Sequence, residues 1–185
     1  MAFFYFDIND QAKQTSRSLL SSLVLSLTAK SNNCYPLERL YIKLDKLHLP
    51  TEDELLDLLK ELLQSFHQAY VVVDALDKCD DYYQLFDNMV KVMHGWNVSH
   101  LHVLMSSRRE HNITITMEEC ATAEIYLSAD LVGSDIRSYI HSVVGKDIRL
   151  RRWGHTVQQN VADVLINGAN GMYVWTYLMI IQKLT

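Results

Sequence analysis

Residues 69–81, AYVVVDALDKCDD, decide the fold because a candidate buried strand runs directly into a cluster of acids. Tyr70 to Asp74 is short, apolar and mostly β-branched, which predicts a strand. Helical patterns lie on both sides of it and favour crossover connections within a parallel sheet. Asp74 and Asp77 are then expected at the carboxyl edge of the sheet, where ligands bind in such folds. Either these acids hold a metal ion bound to a nucleotide, or they begin the next helix.

Three other segments share the apolar, β-branched or aromatic character of strands, namely residues 2–8, 101–105 and 124–127. The second of them, LHVLM, runs into Ser106, Ser107 and Arg108. Because the carboxyl ends of parallel strands share one edge, this polar group is expected to converge with the acids.

Helices are predicted from leucine spacing and from capping signals. The clearest start is Thr51 followed by Glu54, a capping box in which each side chain binds the other residue's backbone N–H. The predicted helices span residues 16–30, a short segment from Pro36, and residues 52–66, 81–94, 135–144, 156–166 and 171–184.

Composition limits the classes of function. A net charge of −5 disfavours nucleic acid as a partner. The three cysteines are widely spaced without a CxxC pair, which indicates free thiols and no zinc site. The chain begins with acids and aromatics, unlike a secretory leader. The longest apolar run, residues 172–181, has about half the length of a membrane span. We therefore expect a cytoplasmic protein with protein partners or self-association.

The succession of YVVVDALDKCDD, LHVLMSSRRE and NGMYVW resembles the NACHT domain of STAND-type signalling ATPases, especially the fungal ones. The resemblance implies a truncated P-loop NTPase-like three-layer sandwich, with a parallel sheet of three to four strands and a C-terminal helical region. It implies an α/β core at residues 1–130 and a helical, lid-like region at residues 131–185, packed as one globular unit. In the family, this domain controls oligomerisation in responses of the innate-immunity type.

The resemblance also implies roles for individual residues. Asp74 matches the Walker B acid that holds magnesium, and Asp77 matches the acid that follows it. Arg108 matches the sensor arginine, with Ser107 beside it, so Asp77 and Arg108 are the catalytic candidates. Lys78 stands where the family pattern has glutamate, which removes a candidate for orienting the attacking water.

The phosphate-binding motif GxxxxGK[ST] occurs nowhere in the sequence. Because that loop supplies the cradle for the phosphates, we expect binding of Mg-ATP or Mg-ADP to be weak or absent and no independent ATP hydrolysis. The predicted function is a signalling or scaffolding module derived from an ATP-dependent switch. The alternatives are an NTPase whose Walker A motif lies outside this chain and a pure protein-interaction module.

Purely structural roles are the competing interpretation of the same residues. Asp80 would cap the helix that follows, and Arg108 would pair with Asp74 and Asp77 across neighbouring strand ends.

The strand order of the NACHT family leaves one side of the strand at residues 101–105 unpaired. We expect that edge to be covered by residues 124–127, by helices or by self-association.

Overall fold

The structure is a computed structural model that describes residues 1–31, 33–45, 48–96, 98–147, 150–169 and 172. The chain divides into two compact units, residues 1–122 and 123–185. The predicted division at residue 130 stays a prediction. Among the described helices, none combines the length and the apolar character required to cross a membrane.

The first unit is built on a parallel sheet of three strands in the order β1-β2-β3. The strands are β1 (Ala2–Tyr5), β2 (Ala69–Asp74) and β3 (Leu101–Met105). Strand β1 ends earlier than predicted because Asp7 turns the chain, its carboxylate accepting a hydrogen bond from the N–H of Asn9 at 2.9 Å. The three parallel strands confirm the predicted α/β class with a parallel sheet. Three strands alone do not distinguish a P-loop fold from other α/β folds, so that assignment stays a prediction.

Helices α1 (Ser16–Ser31), α2 (Tyr35–Lys43) and α3 (Glu52–Leu63) connect β1 to β2. The predicted capping box at the start of α3 is confirmed. Glu54 N–H donates to Thr51 Oγ1 at 3.2 Å, and Thr51 N–H donates to Glu54 Oε2 at 3.0 Å. The buried face of α3 consists of its leucines, Leu55, Leu56, Leu58, Leu59, Leu62 and Leu63.

Helix α4 (Tyr82–Gly95) connects β2 to β3, and α5 (His111–Cys120) follows β3. Sequence patterns did not predict α5, whose threonines and isoleucines favour strands. Only Ile113 and Cys120 of this helix are buried, so its apolar stripe is too narrow to give a clear helical period.

The core lies on one face of the sheet. Alternate strand residues point into it, among them Phe4, Val71 and Val73, and they pack with apolar residues of α1, α3 and α4. All crossovers between adjacent parallel strands are expected to be right-handed. Because the strand order follows the chain order, the four connecting helices therefore cover the same face.

The prediction of a fourth strand at residues 124–127 is wrong. These residues form no strand, and the side chains of Ile125 and Leu127 are exposed. Strand propensity depends on pairing with a neighbouring strand, and residues 124–127 pair with no described strand. Strand β3 pairs with β2 alone among the described strands, so residues 124–127 add no strand to the sheet.

The second unit contains α6 (Ala129–Lys146) and α7 (His155–Ala169). Both contain the shorter helices that the sequence predicts. The unit has a core of its own, with Ile136, Ile140 and Leu165 among its buried side chains. The helix predicted at residues 171–184 lies outside the described residues, apart from Met172.

Candidate functional site

The carboxyl ends of β2 and β3 lie side by side, as the sequence predicts. Val73 is in register with Met105, and the hydrogen bonding continues past both strands. Ser106 N–H donates to Val73 O at 2.9 Å, and Leu76 N–H donates to Ser106 O at 3.0 Å. These bonds bring the acidic segment after β2 against residues 106–108.

Ala75 turns the chain at the tip of β2 through a left-handed backbone conformation, with φ of 59°. This region costs a residue with a Cβ about 1–2 kcal/mol. The buried side chain of Leu76 anchors the short 3₁₀ turn that follows, Leu76–Lys78. The turn places Asp77 next to the residues that follow β3, where it contacts Arg108.

Asp74 is exposed and is bound to a hydroxyl group. Ser106 Oγ donates to Asp74 Oδ1 and accepts a hydrogen bond from the N–H of Ala75 at 3.3 Å. Ser106 was predicted to lie at this edge, but no binding role was predicted for it. Ser107, which was predicted, bonds to the backbone carbonyl of Arg108 at 2.8 Å.

Asp77 is the buried acid of the cluster. Its side chain is 3% exposed, whereas that of Lys78 is 23% exposed and that of Arg108 is 78% exposed. Asp77 Oδ2 lies 2.6 Å from Lys78 Nζ and 3.7 Å from Arg108 Nε. Asp77 Oδ1 accepts a hydrogen bond from the N–H of Arg108 at 3.1 Å. The expected pairing of Arg108 therefore occurs with Asp77, whereas Asp74 has Ser106 as its partner.

Burial acts to raise the pKa of Asp77, but the Lys78 ammonium and backbone N–H groups together outweigh that effect. The contact with the Lys78 ammonium and the N–H of Arg108 lower the pKa below the ordinary value of 3.8. The carboxyl is therefore ionised across the neutral range, and its negative charge is balanced within the protein.

A second polar cluster lies behind the first, where α1 begins. Asp81 Oδ1 accepts a hydrogen bond from Ser16 N–H at 2.7 Å and contacts Cys79 Sγ at 3.1 Å. Burial and this contact raise the pKa of the Cys79 thiol. The prediction that Asp80 caps α4 is wrong, since Asp81 occupies the N-cap position without a side-chain cap. The Asp81 carboxylate instead caps α1, a helix distant in sequence, by accepting the hydrogen bond from Ser16 N–H.

These contacts bear on whether the edge fits a magnesium ion. Among the described residues, no three histidines, cysteines, aspartates or glutamates lie close enough together to hold a metal. Both oxygens of Asp77 already face cationic or N–H groups, so a divalent cation would meet Lys78 and Arg108 there. Asp77 as arranged does not fit a magnesium ligand. The site predicted at Asp74, and the phosphate-binding roles of Asp77, Ser107 and Arg108, stay predictions.

Residues 1–108 match the family model described as Nephrocystin 3, N-terminal. The chain belongs to the nephrocystin 3 N-terminal family. The match to this family runs from β1 to Arg108 and so includes the acids, Lys78 and residues 106–108. Comparison with curated proteins and with solved structures gave no match. Because the matching model is not that of the NACHT domain, the NACHT resemblance stays a prediction for this nephrocystin 3 N-terminal domain.

Proposed function

We propose that this chain is a NACHT-like signalling or scaffolding module, derived from an ATP-dependent switch, that does not hydrolyse ATP by itself. The proposal draws on the resemblance at the two strand ends and on the absence of a phosphate-binding loop from the sequence. It includes a cytoplasmic location, in keeping with three free cysteines.

The observation that carries the proposal is an exposed apolar face on the sheet. The strand register aligns Phe3, Val72 and Leu104 in one row across it, and Tyr70 beside His102 in the next. Phe3 is 61% exposed and Leu104 is 64% exposed. Tyr70 stacks on His102 with ring centroids 4.9 Å apart. Parallel sheets are normally covered on both faces, so this face has the character of an interface.

The size of the face favours a helix from another protein as its occupant. Three strands about 4.8 Å apart and five residues long give a face of about 14 by 17 Å, or roughly 240 Å². A stable protein interface buries about 800 Å² from each partner, so a contact confined to this face would be weak and transient. An α-helix is about 10 Å wide and fits this area. We therefore commit to an amphipathic helix of a protein partner, in line with the predicted protein partners.

A designed amphipathic helix, with leucines at helical spacing and a mixed-charge polar face, tests this surface. Burial of about 240 Å² on each partner, roughly 480 Å² together, contributes about 12 kcal/mol. After an association cost of about 6 kcal/mol, the expected Kd is on the order of 10–100 μM. Leu104→Glu should abolish binding. Ile42→Glu is the matched control, because Ile42 is also an exposed aliphatic side chain but lies on α2.

Equal binding of the peptide to both variants, or to neither the variants nor the wild type, would refute this interface. Self-association measured by light scattering and lost only in Leu104→Glu would instead identify a second copy as the occupant. Circular dichroism of each variant confirms that the fold is retained.

The second candidate is a nucleotide-dependent NTPase whose Walker A motif lies outside this chain. The meeting of Asp74, Asp77 and Arg108 at one sheet edge favours it, because α/β folds bind ligands at that edge. Calorimetric titration of Mg-ATP and Mg-ADP separates the two candidates. We expect no heat of binding at millimolar nucleotide. Binding tighter than about 100 μM, or roughly −5.5 kcal/mol, that is lost in Asp74→Ala would favour the NTPase.

A further inference from the structure

We infer that Lys78 supplies, from within the chain, the positive charge that a divalent cation would bring to the acids at the end of β2. This inference rests on the proposed function in one respect, namely that the edge derives from a nucleotide site. Lys78 thereby acts as a positioning residue that keeps Asp77 ionised where its other oxygen accepts the N–H of Arg108.

The backbone fixes Lys78 next to its target. The left-handed Ala75 begins the turn, and Lys78 N–H donates to Ala75 O at 2.9 Å. Cys79 N–H donates to Leu76 O at 3.1 Å and closes the turn. The ammonium group is therefore tethered one residue from Asp77 and does not have to be bound from solution.

Burial makes a positive partner for Asp77 necessary. An ionised carboxylate removed from water is costly unless it is paired. Asp77 Oδ2 is buried, and the Lys78 ammonium, at 2.6 Å, is the nearest charge that compensates it. Arg108 Nε lies farther away, at 3.7 Å, on an exposed side chain. Lys78 therefore contributes the larger part of the compensation.

The same contacts exclude a metal ion. Magnesium requires oxygen ligands in nearly octahedral geometry at about 2.0–2.1 Å. To reach Asp77 Oδ2, the metal ion would have to displace the Lys78 ammonium. Because Lys78 is part of the chain, its positive charge would stay close to the metal ion and repel it. Asp77 Oδ1 is meanwhile engaged by the N–H of Arg108. An uncharged side chain at position 78 should therefore remove the repulsion that a divalent cation meets at Asp77.

The test titrates Mn²⁺ into the full chain and measures bound metal by electron paramagnetic resonance. The proteins are the wild type, Lys78→Gln, the double variant Lys78→Gln with Asp77→Asn, and the control Lys91→Gln. Lys91 forms an exposed ion pair with Asp53 at 3.5 Å, so its substitution removes a comparable charge elsewhere.

We expect Lys78→Gln to bind Mn²⁺ at least about tenfold more tightly than the wild type, because a like charge no longer opposes the ion. The gain should be absent from the double variant and from Lys91→Gln. A wild-type site that depends on Asp77 would overturn the inference, as would a folded Lys78→Gln without the gain.

If Lys78→Gln does not fold in sodium chloride, refolding in magnesium chloride of equal ionic strength replaces the titration. Recovery of the native circular dichroism signal in magnesium alone supports the inference, and failure to recover overturns it. These outcomes do not depend on whether the wild type binds the peptide or a nucleotide. The peptide and nucleotide titrations therefore test the proposed function separately from the role of Lys78.

Discussion

The buried amide of Asn88 should be one of the most sensitive positions in the first unit. Its side chain is fully buried on α4. Asn88 Nδ2 donates to Ser16 Oγ on α1 at 2.9 Å and to Glu52 Oε2 on α3 at 2.6 Å. One side chain thus links three helices that cover the same face of the sheet.

Asn88→Ala removes two neutral hydrogen bonds, to Ser16 Oγ and from Gln84 Nε2 at 3.3 Å, worth about 1 kcal/mol each, and one bond to a carboxylate worth about 1.5–3 kcal/mol. The expected decrease in the free energy of unfolding is therefore about 4 kcal/mol, a large part of the stability of an ordinary domain. Urea unfolding followed by circular dichroism measures it. Asp87→Ala, at the exposed neighbouring position on α4, is the control and should change stability by less than about 0.5 kcal/mol.

A decrease below about 1 kcal/mol in Asn88→Ala would refute this reasoning, since it would fall short of the hydrogen bond to Glu52 alone. An equal decrease in Asp87→Ala would show that the loss reflects α4 in general rather than the amide.

Three further predictions concern the loop after β2 and the thiols. Ala75→Gly should raise the free energy of unfolding by up to about 1 kcal/mol in urea titrations, because glycine adopts the left-handed conformation without strain; a decrease would contradict the strain. Cys34 is exposed and Cys79 is buried with a raised pKa, so Ellman's reagent at mildly alkaline pH should modify Cys34 rapidly and Cys79 only after unfolding. Equal rates would contradict that burial. Folding lowers the pKa of Asp77 from 3.8, so its stabilisation is present above this value and is lost as pH falls through the folded pKa. Asp77→Asn should therefore flatten the loss of stability as the pH falls below about 4 in acid titrations, and an unchanged slope would contradict the assignment.

Local sequence signals were sufficient to predict most helices and strands of the first unit. Strands β2 and β3 have apolar, partly β-branched sequences, and α3 begins at a capping box that involves only Thr51 and Glu54. Both kinds of signal depend on residues close in sequence, so the single chain contains them in full. Residues 124–127 have similar propensities, but a strand also requires a neighbour, and propensity does not indicate whether a neighbour exists.

The site was predictable in position and less so in detail. The meeting of Asp77 with Arg108 follows from the rule for parallel strand ends. The role of Lys78 does not, because it depends on the left-handed turn at Ala75, which alanine rarely adopts. Asp81 illustrates the same limit, since it caps α1 from 65 residues away along the chain.

Strand β3 has a described strand on one side only. Its sequence, LHVLM, contains no lysine, arginine, acid or proline, the residues by which proteins usually prevent edge-to-edge aggregation. During folding, before neighbouring elements pack, this strand would therefore be able to pair with another chain. The yield of soluble protein should then fall as its concentration during folding rises.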